Sequence, residues 1–227
     1  QVVGPSGINI ERFDEKMKLE QNRRLVTYYS LLTQMRVNGG NDYINLVNSI
    51  LSGKCNQQAC LENYDFKVMS DFNRFNNLQQ KLEDEFTLSR MIAGYAWEWK
   101  SKKDKSLYDM ELDGVKKQWN YRLENWVLSE GADKQVGCIH TIQGFDLNYG
   151  FVIMGNEIGY DPESKEIIVR PENYYDQNGR KTASKEELLE YIKHIYYVLM
   201  TRGIKGTYLY ICDDNLRKYV SSIIGEI

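Results

Sequence analysis

The sequence predicts an α/β fold built on a mostly parallel central sheet. Short, nearly continuous apolar runs at residues 91–96, 136–139, 151–154 and 207–211 are bounded by turn residues. Strands covered on both faces read this way. These runs alternate with amphipathic segments of helical length, as parallel strands require for their crossovers. Between 136–139 and 151–154 lie His140, Thr141, Gln143, Gly144 and Asp146. Small, polar and ionisable residues between two core strands point to a ligand, and open α/β sheets bind ligands at the carboxyl ends of their strands. The loop is expected in that position.

Taken in order, residues 10–35 are rich in good helix formers, with Leu19, Leu25, Tyr28, Leu31 and Leu32 along one stripe. Gly39 and Gly40 break that helix. A second helix is expected over 41–51, with Tyr43, Leu46, Val47, Ile50 and Leu51 on its buried face. Residues 64–69 suit a short strand. Leu78, Leu82 and Phe86 give 75–86 a helical period. The run 91–96 then leads into Trp97, Trp99 and the lysines 100, 102, 103 and 105. Residues 107–130, with Trp119 and Trp126, read as a loop-rich surface excursion. Residues 165–170 alternate as a strand, and 172–181 read as a turn-rich loop. Ser184 followed by Glu187 is a capping box, opening a helix that buries Leu188, Ile192, Ile195 and Leu199 and stops at Arg202–Gly203. A strand over 206–212 and a helix over 214–224 close the chain.

The 227 residues suffice for one large domain or two small ones, and no Pro/Ser-rich linker or internal repeat divides them. A net charge of −3 excludes a pervasive basic field but leaves local basic patches open. Cys138 and Cys212 fall in expected core strands. Cys55 and Cys60 lack the second pair or histidines of a zinc site, so no metal is expected. This cysteine usage suits a reducing cytoplasm. No run reaches the roughly 18 apolar residues of a membrane span. The N-terminal stretch lacks the pattern of a signal peptide. It also lacks an initiator Met, and the chain is expected to be a segment of something longer.

The stretch IHTIQGFDLNYGFVIMG resembles the motif that superfamily-1 helicases carry in their second RecA-like domain, His–Thr–x–(Gln/Lys)–Gly–x–(Glu/Asp) between two strands. The stretch YVLMTRGIKGTYLY resembles the same families' last motif, a helix ending in Thr–Arg before a strand. LLTQMR resembles a third, whose arginine faces the nucleotide phosphates. With AGYAWEW, the set is most similar to the bacterial DNA/RNA helicase domain grouped with Schlafen-type proteins.

The resemblance implies a single three-layer RecA-like domain over 1–227. Residues 1–60 would form a helical entry segment and 61–227 the α/β core. It implies Arg202 as an arginine finger and Arg36 as a second phosphate contact. Gln34, Gly144, Asp146 and Thr201 would lie at the nucleotide, and His140, Thr141 and Gln143 would couple it to the nucleic-acid strand. Met35 stands where many relatives carry an aromatic residue that stacks on adenine.

No Walker A sequence is present, since the GPSG of residues 4–7 lacks the lysine. This fits the resemblance, which implies that ATP and Mg2+ are held mainly by an N-terminal RecA-like domain absent from this chain. The expected partners are that domain and single-stranded DNA or RNA. From the residues themselves, aromatics beside lysines make Trp97 and Trp99 candidates for stacking bases, with core packing as the competing reading. The alternatives are a degenerate RecA-like interaction module without ATPase function and a flavodoxin-like small-molecule enzyme. The Thr201–Arg202 pair weighs against the first. The absence of a G-x-G-x-x-G or G-x-S-x-G sequence weighs against the second.

Overall fold

A computed structural model describes residues 34–227 apart from 123, 177–179 and 181–182. Five parallel strands form the central sheet: β1 (Asp65–Val68), β2 (Ser89–Ala93), β5 (Val136–Gly137), β6 (Leu147–Met154) and β9 (Gly203–Ile211). Their order is β1-β9-β6-β2-β5. Successive side chains point to opposite faces, and both faces are covered, so β2 is buried along its whole length. Met91, Ala93, Phe151, Ile153, Tyr208 and Tyr210 face α2 (Phe72–Phe86) through Phe72, Phe75 and Leu82. Ile92, Val152, Met154, Leu209 and Ile211 face the other way. They pack with α1 (Gly40–Leu51), α3 (Lys185–Met200) and α4 (Asp214–Ile224). The result is the three-layer α/β architecture of the RecA-like class.

Local chemistry sets the helix boundaries. The Asp71 carboxylate accepts from Arg74 N at 3.0 Å, so α2 starts at Phe72, earlier than periodicity predicts. Ser184 and Glu187 form the expected capping box on α3. Asp213 caps α4 through Leu216 N at 2.7 Å while Arg170 pairs with its other oxygen at 2.7 Å. Of the helix expected over 10–35, residues 10–33 lie outside the described residues, and Gln34 and Met35 are irregular.

Five strand expectations need correction. β2 spans Ser89–Ala93 rather than 91–96, because its pairing with β6 runs from Ser89 to Ala93 and stops there. β5 ends at Gly137 rather than 139, because Thr141 Oγ1 takes Cys138 N at 2.8 Å and starts a turn. β6 begins at Leu147 rather than 151, because Leu147 N donates to Arg202 O at 3.0 Å and pairing with β9 starts there. β9 likewise begins at Gly203, three residues before its expected start. The strand expected over 165–170, β8 (Glu166–Val169), lies outside the main sheet. It forms an antiparallel hairpin with β7 (Ile158–Asp161), which periodicity did not reveal.

The 107–130 excursion contains a second hairpin, β3 (Met110–Leu112) with β4 (Val115–Lys117). Its tryptophans are not on the surface. Trp126 is fully buried against Gly137, where an added Cβ would fall 2.3 Å from the indole ring. Trp119 is buried and bridges to Val136 at the sheet edge.

Candidate functional site

The segment from Cys138 to Asp146 does not stay at the carboxyl end of the sheet. It leaves the carboxyl end of β5 and returns to the amino end of β6, crossing one face as a series of turns. Ile142 N donates to Cys138 O at 3.2 Å, Gln143 N to His140 O at 3.3 Å, and Phe145 N to Ile142 O at 3.1 Å. Ile142 is fully buried. Thr141 is buried too, and its hydroxyl donates back to Cys138 O at 3.1 Å. Thr141 therefore locks the crossover and does not present its hydroxyl outward. Gly144 adopts φ +85° at an exposed turn with open space around it, so its role is conformational.

The two ends of this crossover meet different surroundings. At the carboxyl end His140 is exposed and lies edge-on to Tyr95, with ring centres 6.1 Å apart. At the amino end Asp146 pairs with Arg36, Nε to Oδ1 at 3.0 Å, each side chain a little under half exposed. Gln143 is exposed between them.

Arg202 joins Arg36 and Asp146. Thr201 ends α3, its buried hydroxyl donating to Val198 O at 3.3 Å, and so fixes where the next residue emerges. The Arg202 backbone is held on both sides, its N donating to Leu199 O at 3.3 Å and its O accepting from Leu147 N. The side chain is half-buried rather than projecting freely. Nη1 approaches Phe145 O at 3.5 Å, and Nε is buried with no partner among the described residues. Burial, then the nearby Arg36, make the Arg202 guanidinium less basic, and Asp146 opposes both. An arginine so placed remains charged. It is a desolvated cation with an unused donor beside a second cation, which is chemistry suited to a polyanion.

Gln34 organises the approach to Arg36. Its side-chain oxygen accepts from Arg36 N, and its own N donates to Asn41 Oδ1 at 2.9 Å at the start of α1. Asn38 N donates to Ile204 O at 2.8 Å, tying this segment to β9. Gln34 lines a polar cleft of about 550 Å³ with Asn38, Asn41 and Glu62. Met35 is 90% exposed and is not part of that cleft's lining.

Trp97 and Trp99 lie at the opposite end of the sheet, past the carboxyl end of β2, in a separate cleft of about 660 Å³. Sequence reasoning missed three of its walls. Trp119 reads as part of a surface excursion, and Tyr174 and Tyr175 as parts of a turn-rich loop. Only the fold brings them beside Trp97.

A triphosphate fits the Arg36–Arg202 pair on charge and on the unused Arg202 donor. No cluster of three or more His, Cys, Asp or Glu exists among the described residues to hold a divalent ion. No described helix is long and apolar enough to cross a membrane.

The uncharacterized protein YPL245W of Saccharomyces cerevisiae is 31% identical over 215 residues, covering 84% of this chain and 47% of that protein. The chain thus spans about half the length of that relative. No solved structure matches this chain. The model of the Schlafen group 3 DNA/RNA helicase domain matches residues 1–213, and with the motif residues in these positions the chain belongs to that family.

Proposed function

We propose that this domain is the C-terminal motor half of an ATP-dependent superfamily-1 helicase or translocase. An N-terminal RecA-like domain of the full-length protein would complete its ATP site. The observation that carries this reading is the convergence of Arg36, Asp146 and Arg202. They come from three motifs spread over 167 positions and meet at the amino end of the sheet.

Arg202 is the arginine finger. It is fixed by the end of α3 and the start of β9, and it offers a rigid fork of donors to charge developing on the transferring phosphoryl group. Arg36 is the second phosphate contact. Asp146 holds Arg36 beside Arg202 against their mutual repulsion. Bound ATP with Mg2+ would supply the phosphoryl group. The metal ion would be held by the other domain, since the acids it needs are not clustered among the described residues.

His140, Thr141 and Gln143 act as the coupling element. What supports this is the crossover's course, from the Tyr95 ring at one sheet end to Arg36 at the other. A movement of one end is transmitted through a segment locked by Thr141 and by the buried Ile142.

The test is steady-state ATP hydrolysis by the full-length protein with and without single-stranded DNA or RNA, beside the same assay on this 227-residue segment. Strand-stimulated turnover by the full-length protein and none by the segment is expected. Turnover by the segment alone would overturn the division of labour.

A further inference from the structure

We propose that the aromatic cleft at the carboxyl end of β2 binds one unpaired nucleobase of a single strand, stacked against Trp97 and Tyr175. The proposal rests on the motor reading only for its choice of a nucleic acid as partner.

The cleft sits where parallel α/β sheets bind ligands. Its size, about 660 Å³, is that of small-ligand sites. Its walls come from three separate segments: Tyr95, Trp97 and Trp99 after β2, Trp119 before β5, and Tyr174 with Tyr175 after β8. Tyr175 N donates to Tyr95 O at 2.8 Å, which clamps the third segment to the first.

Most of the rings brace one another edge-on. Tyr95 meets Trp119 at 5.1 Å and 88°, Trp99 meets Trp119 at 6.2 Å and 77°, and Tyr95 meets Tyr174 at 6.0 Å and 67°. Trp97 and Tyr175 have no ring partner among the described residues, although both line the cleft. Tyr175 is 48% exposed, and Trp97 is half-buried with its ring tip against Gly155. A braced scaffold therefore presents two unstacked rings.

Charge narrows the ligand. Glu98 and Asp176 offset Lys102 and Arg180, so the described lining has no net charge for gripping phosphate. A duplex keeps its bases stacked and presents phosphates, whereas a single strand presents π-faces that stack on aromatic side chains. The indole N–H groups of Trp99 and Trp119 are buried within the walls, so neither is a donor to a ligand in the open cleft, and the base is recognised by its faces. Lys102 lies 5.1 Å over the Trp99 ring, at the edge where the flanking phosphate would run. The His140 end of the crossover touches Tyr95, so the cleft adjoins the coupling element.

The experiment is fluorescence anisotropy on the full-length protein with two labelled single strands of equal length. One is an oligothymidylate, and the other carries abasic sites throughout. Strand-stimulated ATP hydrolysis is measured on the same preparations. The wild type is expected to bind the abasic strand at least about tenfold more weakly, the scale of one stacked base. Trp97→Ala and Tyr175→Ala should each erase most of that difference, while Trp97→Phe keeps it, with thermal melts close to the wild type. Equal affinity for the two strands overturns the proposal, as does an equal loss for both in Trp97→Ala. Stimulated hydrolysis without discrimination between the strands rejects the cleft and leaves the motor reading standing. Discrimination without stimulated hydrolysis supports the cleft and rejects the motor reading.

Discussion

The Arg36 guanidinium lies 3.0 Å from the Asp146 carboxylate, and together they stand beside Arg202, whose basicity burial and then Arg36 lower and Asp146 raises. Three residues remote in sequence form one electrostatic unit with an excess of one positive charge.

Asp146→Asn removes the carboxylate that reconciles the two arginines. Both partners of the Arg36 pair are nearly half exposed, so the pair itself contributes only about 0–1 kcal/mol to stability. The variant should melt within a few degrees of the wild type. It should turn ATP over more slowly, with the defect deepening as ionic strength falls and the arginines repel more strongly. Thermal melts with ATPase assays at low and high salt check this. Unchanged turnover at low salt would show that Asp146 does not position Arg36.

Gly203 follows Arg202 directly, and a Cβ there would lie 2.1 Å from Gly206 O and 2.9 Å from Gly150 N. Both obstacles are backbone, so neither can rotate away. Gly203→Ala should cost about 1–3 kcal/mol through overpacking. It should also lower turnover, since the strand that fixes Arg202 must shift. Urea unfolding of the full-length protein measures the first effect. A stability equal to the wild type would mean that the β6–β9 register has slack.

Glu157 is fully buried, receives a hydrogen bond from Tyr196, and keeps its other oxygen without a partner among the described residues. Burial pushes its carboxyl up to about 7 from 4.5, although the Tyr196 bond opposes the rise. Below about pH 4.5 the folded and unfolded chains both hold this proton. Between about 4.5 and about 7 the unfolded chain releases it while the folded chain retains it, so stability falls as pH rises. Above about 7 the penalty is constant, at roughly 3 kcal/mol. Tyr196, Tyr174 and Cys212 surround the group and are all pushed up, so none of them titrates in this window. Glu157→Gln should match the wild type near pH 4.5 and exceed it in melting temperature by a margin that widens up to about pH 7 and then levels off. A margin that does not change with pH would contradict this.

Much of the architecture is legible in the sequence because both faces of the sheet are covered. Phe151, Val152, Ile153 and Met154 must all be apolar, and the run identifies itself. The capping residues Ser184 and Glu187 are equally plain. The strand starts at Leu147 and Gly203 are not, because Asn148, Lys205 and Gly206 break the apolar pattern there while backbone pairing continues. Hairpin β7–β8 hides for the same reason, since only β8 alternates visibly. The arginine cluster was legible residue by residue through the motifs. Its convergence is a tertiary fact, as is the gathering of Trp119, Tyr174 and Tyr175 around Trp97.

The central claim is that Arg202 acts on the transferring phosphoryl group, and steady-state ATP hydrolysis by the full-length protein with saturating single strand tests it most directly. Arg202→Ala should lower turnover by roughly 10³-fold or more, the scale of an arginine finger. ATP binding should weaken only modestly, and the thermal melt should stay close to the wild type. Arg202→Lys should recover little, because a point charge lacks the planar fork. Near-wild-type turnover in Arg202→Ala, or a melt that collapses with it, would contradict the account and leave Arg202 a structural residue at the end of α3.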